Sequence, residues 1–264
     1  MKKALSRIYL GAVYFFLYAP IAILILYSFN ASKSRGNWGG FSLKWYGEMF
    51  ADPSIMSALY NTIIIAVSAA IIATIIGSAA AIGMFYMKKL PQTAIMNISY
   101  LPVLNPDIVT GVALMFMFAF IKIPLGYGTL LLAHISFDIP YVILSVQPKL
   151  KQLDPHTVEA ANDLGASDLY AFWNIVIPQI MPGIINGLLL AFALSIDDFV
   201  ISFFTTGPGV SNISIYVYSM TKTGVKPTMN ALSTILFLSV LAILLIVNAR
   251  TTDIAKRRET EERI

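Results

Sequence analysis

The chain has 264 residues, is 57% hydrophobic and only 12% charged, carries a net charge of +4 and contains no cysteine. A soluble domain carries about a quarter charged residues, so this apolar excess has to be dissolved in lipid. The lack of cysteine excludes a disulfide framework, a thiolate metal site and a catalytic thiol, and the basic residues, scattered as short flanks of apolar segments, suit membrane topology and not a nucleic-acid partner.

Six segments approach the roughly 20 residues needed to cross a hydrocarbon core of about 30 Å. They are Ile8 to Phe29, Leu59 to Tyr86, Ile95 to Phe120, Thr129 to Val146, Ile184 to Phe204 and Asn230 to Val247. The first comes directly after Lys2, Lys3 and Arg7. Its apolar stretch is too long for a secretory signal and no small-residue cleavage site comes after Tyr27, so it is read as a retained helix. The next connection, Asn30 to Ala58, holds Trp38, Trp45 and Tyr46 and reads as an interfacial aromatic belt. Asn30-Ala31-Ser32 matches a glycosylation sequon, a pattern too short to carry weight.

Starting inside, the inner segments hold Lys2, Lys3, Arg7, Lys88, Lys89, Lys149, Lys151, Arg250, Lys256, Arg257, Arg258 and Arg263. The outer ones hold Lys33, Arg35, Lys44, Lys122, Lys222 and Lys226, and twelve against six puts both termini in the cytoplasm.

Asp107 falls inside the third span, where an ionised carboxylate costs at least about 3 kcal/mol unless it faces a partner or a water-filled path. Two readings stand: it lines a path, or Pro106 breaks the helix and Asp107 caps the segment after the break. On the fourth span His134 and Asp138 are four apart and share a face. Two such residues are too few for a metal site, and an interspan hydrogen bond is the better reading.

Between the fourth and fifth spans the chain leaves the membrane from Gln147 to Pro182. Asp154-Pro155 is a helix cap with proline at the first helical position. His156 to Leu164 reads as one short helix stopped by Gly165. Ser167 starts a second helix running to about Val176, with Pro178 and Pro182 ending it.

The fifth span encloses the acidic pair Asp197 and Asp198, about 20 Å in at roughly 1.5 Å per residue. Neighbouring helical positions diverge by about 100°, so one of the two faces a pathway while the other caps, pairs or packs. Acid in the spans suits a cationic cargo. Tyr141, Phe137, Phe203 and Phe204 offer an aromatic gate or cation-binding wall. The tail Lys256 to Ile264 reads as a solvated end.

Glu159-Ala160-Ala161, three residues, Gly165, nine residues, then Ile175-Val176-Ile177-Pro178 resembles the EAA loop of permease subunits in binding-protein-dependent ABC importers. Leucine is commoner in that family where this chain has Ile177. The resemblance implies an all-α membrane protein of the type I ABC importer permease fold: one transmembrane domain over 1–264, with a cytoplasmic coupling loop at 147–182. It implies that Glu159, Ala160, Ala161, Gly165, Ile177 and Pro178 meet a cytoplasmic ATPase and receive its stroke.

Wider similarity, over Leu153 to Asp168, Asn105 to Val109, Leu194 to Val200 and Phe204 to Pro208, resembles the second permease of bacterial spermidine and putrescine importers. That implies a multi-pass protein of the bacterial inner membrane, a homologous second permease, an ATPase dimer that binds the ATP and Mg, and an extracytoplasmic substrate-binding protein. This chain would then hold no cofactor, and its substrate path would use Asp107, Asp197, Asp198, Tyr141, Phe203 and Phe204.

Other readings are weaker. The loop motif is shared with importers of metal ions and oxyanions, but an anion carrier would show basic residues within its spans. An intramembrane enzyme would need two acids converging on one atom, which adjacent residues rarely do. A proton-coupled secondary carrier would reveal inverted or duplicated halves.

Overall fold

The computed structural model describes residues 2–34, 36–224, 226–242 and 245. Arg35, Arg250, Lys256, Arg257, Arg258 and Arg263 of the charge count lie outside them, as do the tail Lys256 to Ile264 and most of the sixth predicted span beyond residue 242. Among the described residues the chain is helical, with one isolated bridge between Asn30 and Phe41 and no strand. It divides into two compact units, Met1–Met56 with Ser219–Ile264, and Ser57–Tyr218.

The first unit contains α1 (Lys2–Ser28) and α2 (Lys44–Ala51). Asn30, at 1% exposure, organises the loop between them. Its Oδ1 accepts the N–H of Ser32 at 3.1 Å and of Gly39 at 2.7 Å, its Nδ2 donates to Asn37 O at 2.9 Å, and its carbonyl accepts the indole N–H of Trp45. The sequon asparagine is therefore an internal pin. Trp45 is buried too and belongs to the same pin, not to a belt, whereas Trp38 is exposed.

The second unit takes in most of α3 (Pro53–Phe85), then α4 (Lys89–Leu104), α5 (Asp107–Phe120) and α6 (Tyr127–Leu150). On α3, Ala66, Ala69, Ala70 and Ala73 fall at helical spacing and are all buried, so a small-residue face lets other backbone approach closely. The third predicted span is not one rod. α4 and α5 meet at 107° across Asn105-Pro106, because proline offers no N–H and drives the residue before it out of the helical region; Asn105 is extended at φ −80°, ψ 146°.

The fifth span differs from expectation at both ends. Helix runs from Asp168 to Asp197, as α8 (Asp168–Ala171), a π turn (Phe172–Val176) and α9 (Ile177–Asp197). Pro178 and Pro182 do not end it. The Ile177 N–H reaches back five residues to Phe172 O, so the ladder is already widened one residue before Pro178 arrives without a donor. Val176 and Ile180, buried in a core with Ala81, Met84, Val142, Val146 and Leu150, carry the helix through. At the far end it stops at Asp197, Asp198 is extended, and a separate short α10 (Val200–Thr205) comes next. The described chain ends in α11 (Ile213–Thr223) and an apolar α12 (Thr228–Ala242).

Among the described residues four helices are long and apolar enough to cross a membrane, and five if α4 and α5 form one broken span. α6 is clasped through missing side chains. A Cβ on Gly77 would stand 2.8 Å from Val142, and one on Gly183 would stand 3.0 Å from Ser145 O. Gly207 is more constrained still, since a Cβ there would overlap the carbonyl of Leu125. Gly207→Ala should therefore cost about 1–3 kcal/mol of stability, as overpacking does. Gly83→Ala, where nothing lies within 4 Å of the added methyl, should be neutral or stabilising by up to about 1 kcal/mol. Thermal unfolding in detergent checks the pair; equal melting temperatures would refute the close packing at Leu125.

Candidate functional site

The loop after α6 is built from local chemistry. Asp154 Oδ1 accepts the His156 N–H at 3.0 Å and opens α7 (Pro155–Asp163) with proline in its first turn. Gly165 adopts φ +90°, its N–H donates to Asn162 O at 2.9 Å, and the Ala166 N–H donates to Ala161 O at 3.0 Å. Only glycine takes this left-handed turn without strain. Ser167 caps α8 through the Tyr170 N–H at 3.3 Å, and Asn162 Nδ2 donates to Asp168 Oδ1 at 3.0 Å across the turn. The angle between α7 and α8 is thus fixed from both sides.

The outer surface of this turn is unusually apolar. Leu164 is 90% exposed, and Leu169, Tyr170 and Trp173 are exposed beside it. Ala161, Leu164, Gly165, Ala166, Ser167 and Tyr170 line a shallow groove. The inner surface is anchored: Leu153, Val158 and Phe172 pack on the core of α6 and α9. Glu159 and Ala160 are exposed on α7, and Glu159 Oε2 lies 3.1 Å from His156 Nδ1. That hydrogen bond, with the charges of Asp154 and Glu159, raises the His156 pKa. Ile177 and Pro178 stand apart from the turn, at the start of α9, with Ile177 packed on the core and Pro178 exposed.

The second polar concentration surrounds the break between α9 and α10. Asp198 is committed to backbone: Oδ1 accepts the Ile201 N–H at 3.1 Å and Oδ2 the Ser202 N–H at 2.7 Å. It caps α10, the role that the sequence left open for one of the pair, while Asp197 is exposed at the end of α9. Asp107 is also exposed, in the first turn of α5, where the helix dipole favours its charge. Its side chain makes no capping hydrogen bond, since the cap position belongs to Pro106.

Tyr141 is half-buried and edge-on to Phe137 at 5.2 Å. Phe203 and Phe204 meet at 5.4 Å, and Phe203 packs with Phe199 and Tyr218. Gly111 brings α5 against Phe204 and the backbone of α10. The exposed acids and the aromatic residues thus belong to one set of helices, α5, α6, α9 and α10.

His134 and Asp138 make interhelical hydrogen bonds, as their spacing suggested. His134 Nδ1 is 3.1 Å from Ser195 Oγ, His134 Nε2 is 2.9 Å from Ser202 Oγ, and Ser195 donates to Asp138 Oδ2 at 2.7 Å. Asn212 Nδ2 donates to Ser202 Oγ at 2.7 Å. Among the described residues no group of three His, Cys, Asp or Glu is placed to hold a metal ion. The partners Ser195, Ser202 and Asn212 were not singled out from the sequence, although hydroxyl and amide side chains within apolar spans are the usual sign of interhelical bonding.

Residues 73–258 match the family described as "Binding-protein-dependent transport system inner membrane component". The chain is 38% identical over 239 residues, 90% of each chain, to "Spermidine/putrescine transport system permease protein PotC" of Escherichia coli (strain K12). It is 40% identical over 228 residues, 84% of this chain and 81% of the relative, to "Putrescine transport system permease protein PotI" of the same strain. Its fold matches, with a TM-score of 0.69, 16% identity and 94% of each chain covered, a chain of a bacterial ABC transporter involved in the import of the acidic polysaccharide alginate. The helical, apolar architecture and these likenesses agree, and the chain belongs to the inner membrane components of binding-protein-dependent transport systems, the permeases of type I ABC importers.

Proposed function

We propose that this permease carries polyamines, of the spermidine and putrescine class, and that it receives the ATPase stroke through the α7–Gly165–α8 turn. The chain is a transport subunit and not an enzyme, with ATP hydrolysed in a separate subunit; the ATP and Mg are held there. The observation that carries the cargo reading is the identity to permeases named for spermidine and putrescine, over 90% of this chain in the first of them. Asp107 and Asp197 support it: they are exposed acids at the ends of apolar helices, suited to ammonium groups that have shed water.

The mechanical reading rests on the two faces of the turn. Outside, Glu159, Ala160 and the exposed Leu164 present charge, a flat approach and apolar surface to an ATPase cleft. Inside, Leu153, Val158 and Phe172 are packed into the core shared by α6 and α9, so displacement of α7 is transmitted to those helices as a shift of packed side chains. α9 ends at Asp197 and α6 carries Tyr141, which connects the turn to the acids. A homologous second permease completes the path, an extracytoplasmic binding protein delivers the cargo, and both termini lie in the cytoplasm.

The test is isolation of the complex from native membranes in mild detergent with this chain tagged. An ATPase subunit and a second permease should co-purify in fixed ratio; recovery of this chain without an ATPase would overturn the reading.

A further inference from the structure

The buried bonds around His134 have a single consistent direction. Asn212 is held by the Ile215 N–H on its Oδ1 at 2.9 Å, so its amide N–H is the group facing Ser202 Oγ. At the other end the one hydroxyl hydrogen of Ser195 is engaged by Asp138 Oδ2. Ser195 Oγ can therefore only accept from His134, which puts the ring proton on Nδ1. Nε2 is then the acceptor for the Ser202 O–H. Donation runs from Asn212 through Ser202, His134 and Ser195 to Asp138 Oδ2, while Asp138 Oδ1 is buried without a partner.

This ring does more than join helices. Ser195 lies on α9 and Ser202 on α10, on opposite sides of the break at Asp198, and both are buried, at 1% and 0% exposure. His134 grips both at once from α6, with Nε2 also 3.6 Å from the Asp198 Oδ2 that caps α10. His134 thus ties the two sides of the break together, beside the bonds that Asp198 makes to the Ile201 and Ser202 N–H groups. Asp197 lies inside the spanned segment, two residues after the buried Ser195, and is the residue turned outward.

We propose that His134 is a positioning residue for the translocation path, clamping the α9–α10 break so that the Asp197 carboxylate is held on the exposed side. The transport arm of this proposal rests on the reading of Asp197 as a path residue; the geometric arm does not.

The absence of cysteine from the chain makes the geometric arm measurable, because Asp197→Cys would be the only thiol of this subunit. In the assembled complex, reaction of that thiol with a membrane-impermeant cationic methanethiosulfonate is timed in three backgrounds. With His134 intact the thiol should react. With His134→Leu, which leaves Ser195 and Ser202 without their partner, the rate should fall by about tenfold, equivalent to about 1.4 kcal/mol. With His134→Gln, whose amide supplies one donor and one acceptor, most of the rate should return. If the leucine variant does not assemble, Ser202→Ala removes the same grip and should give the same loss.

In uptake assays with Asp197 present, His134→Leu should raise the half-saturating concentration of labelled putrescine more than it lowers the maximal rate, with glutamine restoring it. Equal labelling rates in all backgrounds, or faster labelling without the imidazole, would overturn the clamp. Wild-type uptake by Asp197→Asn would remove Asp197 from the path and leave the labelling rates to decide the clamp alone.

Discussion

Gly165→Pro and Glu159→Lys are each expected to reduce ATP-driven uptake by at least about 30-fold while the protein still inserts in the membrane. Proline cannot take the place of glycine at φ +90°, since its ring holds φ near −65°, and it also removes the N–H that donates to Asn162 O. The α7–α8 angle is lost, yet Leu153, Val158 and Phe172 remain in the core, so the membrane helices have no reason to unfold. Glu159→Lys keeps a good helix former on an exposed face and reverses one charge. Breaking one member of a charge pair desolvated at an interface costs about 2–5 kcal/mol, and the lower end of that range is roughly a 30-fold change. Uptake and ATP hydrolysis measured together in membrane vesicles check this: hydrolysis should stop responding to loaded binding protein. Unchanged uptake in both variants would remove the turn from the coupling path.

The second large effect separates three acids that the sequence treated together. Asp197→Asn and Asp107→Asn should each lower polyamine uptake at subsaturating substrate by roughly 10- to 100-fold, the value of a hydrogen bond to a charged group at about 1.5–3 kcal/mol. Asp198→Asn should lower uptake far less than either, because its carboxylate is turned onto backbone N–H groups; asparagine keeps an oxygen for one of the Ile201 and Ser202 N–H groups and loses the other bond, so its effect falls on stability. Asp198→Ala should cost about 1 kcal/mol of stability as a lost cap. If Asp198→Asn abolished uptake while the other two imported at the wild-type rate, the assignment of path and cap would be reversed.

The contrast between these sites shows what a sequence carries. The turn from Asp154 to Ser167 was legible residue by residue because each instruction is local: the cap, the proline after it, the left-handed glycine and the second cap all act within a few positions of themselves. The continuation of α9 through Pro178 and Pro182 was not legible. Proline argues locally for a stop, and what overrules it is a π turn and the packing of Val176 and Ile180 against α6, a contact made far along the chain. The break of the third span was half visible, since Pro106 announced it but hydropathy ran straight across. The stop at Asp197 had no local breaker at all. It depends on Asp198 turning its carboxylate onto α10, and on Ser195, Ser202 and His134 meeting across three helices. Trp45 was misplaced for the same reason: an aromatic near an interface suggests a belt, and only the loop pinned by Asn30 reveals its partner.

Cargo identity is most directly tested by reconstituting the complete complex in proteoliposomes and tracking accumulation of labelled spermidine, putrescine, sulfate and iron. Accumulation of spermidine or putrescine that requires ATP, and no ATP-dependent accumulation of sulfate or iron, is the expected result. Accumulation of sulfate or iron with neither polyamine carried would contradict the account.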